Sequence, residues 1–164
     1  MRHIISVLME NESGALSRVV GLFSARGYNI ESLAVAPTDD STLSRLTLVT
    51  TGSEQVIEQV LKQLNKLIEV IKVVDLSDFK HVDRELMLIK VEAKQLDGVT
   101  AIKQIADIFK GKVIDLSKHT FTIELSGHSE KLDAFIEAMN EQIIVEVVRS
   151  GSIGIARGNV ALRV

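Results

Sequence analysis

The stretch RHIISVLMENESGALSRVVGLFSARGYNIESLAVAP, Arg2–Pro37, changes its hydrophobic period twice, and those changes decide the fold. Arg2 to Leu8 is apolar and β-branched, as a strand requires, and Met9 to Gly14 reads as a loop. From Ala15 to Ala25, Leu16, Val19, Val20 and Phe23 recur at helical spacing. Gly27 stands where a helix-ending glycine belongs, and Tyr28 to Ala36 returns to a strand closed by Pro37. Further out, Asp39, Asp40 and Ser41 predict a turn, after which Leu46, Leu48 and Thr50 alternate with Arg45, Thr47 and Val49 as in a half-buried strand. Ser53 caps a second helix with an apolar stripe of Val56, Ile57, Val60, Leu61 and Leu64, and Ile68 to Leu76 supplies a last strand.

After a polar joint from Ser77 to Asp83 the same order returns. Glu85 to Ala93 predicts a strand, and Val99, Ile102, Ile105 and Phe109 a helix ended by Gly111. Lys112 to Leu116 and His119 to Leu125 predict paired strands. Leu132, Phe135, Ile136 and Met139 mark a helix, and Ile143 to Val148 a closing strand. Two βαββαβ units in tandem, over residues 1–77 and 84–164, make an α+β protein of two ferredoxin-like units. A small sheet with both helices on one face leaves its other face bare, so the bare faces or edges are expected to pair with another chain.

Composition removes several classes of function. The 164 residues contain no Cys or Trp, which excludes thiolate metal sites and disulfides and fits a reducing cytoplasmic compartment. The start MRHIISVLME lacks the shape of a signal peptide, and no stretch reaches the roughly 20 apolar residues of a membrane span. With 19 basic against 22 acidic side chains, nucleic acid is a poor partner. The RNA recognition motif shares the βαββαβ order, but it needs sheet aromatics, and aromatics are 4% of this chain. His3, His81, His119 and His128 show no paired ligand spacing, so no metal site is expected. Gly151, Gly154 and Gly158 do not fit a dinucleotide fingerprint and are expected in a flexible tail or an exposed contact. Glu10, Glu12, Asp39 and Asp40 read as solvated loop surface.

Glu10 to Leu33, ENESGALSRVVGLFSARGYNIESL, is where binding chemistry can be placed. The helix start at Ser13 and Gly14 presents backbone N–H groups of Gly14, Ala15 and Leu16 that suit a carboxylate, and a glycine lets a ligand approach the backbone. Asn11 and Asn29 offer amide oxygens to an ammonium group, while Leu16, Ile30 and Leu33 offer an apolar wall. Together these suit a small aliphatic zwitterion. The same residues also serve as an ordinary helix cap and turn, and spacing does not choose between the two.

Asn11 to Leu33, with APTDD from Ala36 to Asp40, closely resembles the ACT domain of acetolactate synthase regulatory small subunits, and RSGSIGIARG, Arg149–Gly158, is similar to the end of that family's C-terminal domain. The resemblance covers nearly the whole chain. It implies an ACT domain over residues 1–77 that forms a homodimer and binds valine, leucine or isoleucine between subunits, with Asn11 and Gly14 of one chain facing Asn29 of the other. It also implies an ACT-like second unit that contacts the large catalytic subunit, activation of that subunit and feedback inhibition of branched-chain amino acid synthesis. Catalysis would belong to the partner, a transferase with thiamine diphosphate, magnesium and FAD. This chain has no Gly-Asp-Gly motif for thiamine diphosphate and no nucleophile beside a base, so no catalytic residue is assigned. The alternative is a stand-alone ACT-domain amino-acid sensor acting on another partner.

Overall fold

The computed structural model describes all 164 residues. By compactness the chain divides into Met1–Asp83 together with Ser152–Val164, and Arg84–Gly151. The first unit contains β1 (Arg2–Glu10), α1 (Ala15–Ala25), β2 (Ile30–Pro37), β3 (Leu43–Thr51), α2 (Glu54–Leu64) and β4 (Val70–Asp75), then one 3-10 turn at Leu76–Asp78. Its antiparallel sheet has the order β2-β3-β1-β4, with β1 paired to β3 from Arg2↔Thr51 to Glu10↔Leu43. This is the ferredoxin-like arrangement the periodicity predicts. Ile5, Val7, Leu46 and Leu48 of the sheet meet Val19, Leu22 and Phe23 of α1 and Ile57, Val60 and Leu64 of α2 in one core. Ser53 Oγ accepts from the Val56 amide at 3.4 Å, so α2 starts on the expected cap.

The strand β5 (His81–Glu92) carries the chain from the first unit into the second, which continues with α3 (Leu96–Ile108), β6 (Lys112–Leu116), β7 (Thr120–Gly127), α4 (Ser129–Ala138) and β8 (Ile143–Arg149). The sheet runs β6-β7-β5-β8. Met87, Ile89, Phe121, Ile123 and Leu125 pack on Ile102, Leu132 and Phe135, repeating the first core. Glu85, only 6% exposed, is compensated by a two-pronged pair with Arg149, whose Nε and Nη2 donate at 2.9 and 2.8 Å. That pair is the main reason the Arg149 guanidinium is held above its usual range.

Four expectations change. The strand that opens the second repeat begins at His81, because half of the polar joint is absorbed into β5. Lys110, at φ 59°, takes the left-handed position after α3 that was assigned to Gly111. Residues 152–164, expected with the second unit as a flexible tail or exposed contact, cluster with the first unit and form β9 (Ile153–Ala156). They lie against the face of the first sheet opposite its helices, where Ile4, Val49 and Leu76 pack with Ala156. Gly154 permits this approach, since a Cβ there would lie 2.8 Å from Leu76 Cδ1. The central strand of the first sheet is therefore covered on both faces: on β1, Ile4 and Leu8 are each 3% exposed and Ser6 fully buried.

Candidate functional site

The β1–α1 turn leaves backbone donors open at the start of a helix. Gly14 is the N-cap of α1 at φ 90° and ψ −14°, a left-handed conformation that a residue with a Cβ resists, and no side chain caps the helix. A Cβ on Gly14 would meet nothing within 4 Å, so the space in front of the turn is open. The Gly14 and Leu16 amides have no acceptor within the chain, whereas Ala15 donates to the Glu12 carbonyl at 3.3 Å. No acidic side chain occupies the first turn, leaving the positive end of the helix dipole uncompensated.

Asn11 is fixed by the neighbouring β2–β3 turn. Its amide N–H donates to the Thr42 carbonyl at 2.7 Å and its side-chain Nδ2 to the Ser41 carbonyl at 2.9 Å. These bonds leave Oδ1 as the free acceptor of the side chain. The turn is itself held by Asp40, whose Oδ1 accepts from the Thr42 hydroxyl at 2.6 Å and the Thr42 amide at 2.9 Å. The hydroxyl bond, followed by the amide bond, holds the Asp40 carboxyl below the usual carboxylate range.

Asn29, Ile30 and Leu33 are elsewhere. Asn29 is exposed just before β2, and its backbone carbonyl accepts from Thr50 Oγ1 at 2.6 Å. Thr50 pairs with His3 and Ile30, while Leu43 pairs with Glu10, the residue before Asn11. Asn29 and Asn11 thus stand at opposite ends of the sheet, separated by the seven steps from His3 to Glu10, or roughly 23 Å at about 3.3 Å per residue. One chain brings Asn11, Gly14, Ala15 and Leu16 together and keeps Asn29 apart. Leu16, Ile30 and Leu33 are half-buried against the first core, so each has an apolar flank in reserve.

No group of three or more His, Asp or Glu side chains converges anywhere in the chain. Periodicity missed Arg45, which it placed on the polar side of β3; the half-buried guanidinium lies under the returning C-terminal segment and donates from Nη2 to the Gly154 carbonyl at 3.2 Å. Both faces of β1 are covered, and Ser6 is buried along with its apolar neighbours.

Comparison with known proteins shows the family of the chain. Residues 5–72 match the family model described as the AHAS small subunit-like ACT domain, and residues 84–158 match that of the small subunit of acetolactate synthase. The acetolactate synthase isozyme 3 small subunit of Salmonella typhimurium is 54% identical over 164 residues, covering 99% of this chain and all of that protein. The acetolactate synthase small subunit of Haemophilus influenzae is 55% identical over 96% of this chain and 97% of its own. The crystal structure of the acetolactate synthase small subunit from Thermotoga maritima superposes with a TM-score of 0.84 at 37% identity, covering 98% of this chain and 99% of that one. The chain belongs to the acetolactate synthase small-subunit family, and its first unit is that family's regulatory ACT domain.

Proposed function

We propose that this chain activates an acetolactate synthase catalytic subunit and confers on it feedback inhibition by valine or another branched-chain amino acid. The separation of Asn11 and Asn29 carries this reading. A site using both needs a second copy, which places Gly14 and Asn11 of one chain opposite Asn29 of the other. The effector carboxylate then meets the Gly14 and Leu16 amides at the start of α1, and its ammonium lies between the Oδ1 atoms of the two asparagines. The aliphatic side chain takes the apolar flanks of Leu16, Ile30 and Leu33. Because the site is completed by dimerisation, effector binding is coupled to how two copies sit together, which is what an inhibitory signal requires.

Thiamine diphosphate, magnesium and FAD belong to the catalytic partner in this reading. The second unit makes the contact with that partner, with Leu86 at 43%, Leu88 at 36% and Val148 at 54% exposed on the sheet face away from its helices. The test is isothermal titration of the full chain with valine, leucine and isoleucine, combined with turnover of the catalytic subunit with and without the chain. A scaffold without sensing would give activation but no heat of binding and no inhibition.

A further inference from the structure

Between the returning segment and the first sheet lies a cavity of about 200 Å³ that the effector reading leaves unused. Arg45 on β3 and Lys72 on β4 both line it and both pair with Leu8 of β1, so two cationic side chains flank one floor position. Its walls are apolar and include Val74, Leu76, Ile155, Val160 and Leu162. Arg45 donates from Nε to Ser6 Oγ at 2.6 Å and from Nη2 to the Gly154 carbonyl, both uncharged acceptors. No carboxylate pairs with Arg45 or Lys72, and no acidic side chain lines the cavity.

A half-buried guanidinium without a counter-ion bears part of its desolvation cost uncompensated, and an anion that reaches it recovers some of that cost. Burial alone already pushes Arg45 below its usual range. A cavity of about 200 Å³ has room for a small organic molecule. The apolar walls favour a branched hydrocarbon end, and the two cations repel an ammonium group.

We propose that this cavity is a second ligand site, taking a short branched aliphatic monocarboxylate that carries no ammonium group, with its carboxylate between Arg45 and Lys72 and its hydrocarbon under Val160 and Leu162. The site is separate from the β1–α1 turn in place and in ligand charge. Occupancy holds residues 152–162 against the sheet.

The probe is 3-methylbutanoate, titrated into the isotope-labelled full chain and followed by NMR, with 3-methylbutan-1-ol and 3-methylbutan-1-amine as uncharged and cationic counterparts. Saturable shifts at Ala156, Val160, Leu162 and Val74 are expected for the carboxylate, with half-saturation at about millimolar concentration for so small a ligand. The amine should give none. Arg45→Gln should weaken binding at least tenfold. Because Arg45 also holds the Gly154 carbonyl, Lys72→Gln provides a variant that leaves the segment's contacts intact, and it should weaken binding severalfold. Equal response to carboxylate and alcohol, unchanged affinity in both variants, no saturation, or shifts confined to Asn11–Leu16 would each overturn the proposal.

Discussion

The two units run through the same order of elements and treat their sheets differently. In the first, the central strand β1 is buried on both faces from His3 to Met9; in the second, β5 alternates, with Met87, Ile89 and Val91 buried and Leu86 and Leu88 exposed between them. The cause is the chain end. Residues 152–162 return to cover the first sheet, and nothing equivalent covers the second. One topology therefore yields one sheet whose central strand is covered on both faces and one that leaves apolar side chains exposed on a face.

Ending the chain at Gly151 should break this difference most severely. It exposes Ile4, Val49 and Leu76 at once and removes one of the two acceptors of Arg45, so the first unit should lose at least about 3 kcal/mol at about 1.5–3 kcal/mol per fully buried side chain. Hydrogen exchange of the full and shortened chains checks it, with protection lost in β1 and β3 and kept in β7. The matched pair Phe23→Ala and Phe135→Ala should each cost about 3–5 kcal/mol, because both rings are fully buried, and exchange should report each loss mainly in its own unit.

The ligand turn calls for subtler changes. Gly14→Asp adds a carboxylate where the effector's own should lie, and the left-handed backbone adds strain that any residue with a Cβ shares. Gly14→Asn accepts that conformation without the charge, so inhibition should be abolished by Asp and only reduced by Asn, with activation surviving in both. Asn29→Ala should weaken the effector by about 1–3 kcal/mol, measured by titration calorimetry.

The smallest effect concerns the turn that holds Asn11. The Asp40 carboxyl is depressed on folding, so its contribution is present above the unfolded carboxylate range and is lost as pH falls through the folded value. Thr42→Val removes the hydroxyl bond, and an NMR titration should show Asp40 returning toward the ordinary range.

The repeated fold was legible because the helices and most strands bury one face at the period of their own geometry, as Ile57, Val60 and Leu64 do on α2. The destination of the C-terminal segment was not, because IGIA has too few residues to show a period and its partner surface is distant in sequence. IISVL and LMLI look alike as apolar runs; only packing shows that the first is covered on both faces and the second on one. The residues proposed to hold the effector, Asn11, Gly14 and Asn29, were singled out by residue type. Their division between the two ends of the sheet follows from strand register, which periodicity does not report.

Mixing Gly14→Asp chains with Asn29→Ala chains and titrating valine tests the shared site most directly. In a mixed dimer one site carries both defects and the other carries neither, so one tight site should reappear per mixed dimer, about one per four chains when equal amounts exchange at random, although neither variant alone shows it. If the mixture binds no better than the sum of its two components measured alone, the effector site lies within one chain and the proposed pairing of Gly14 with Asn29 across subunits is contradicted.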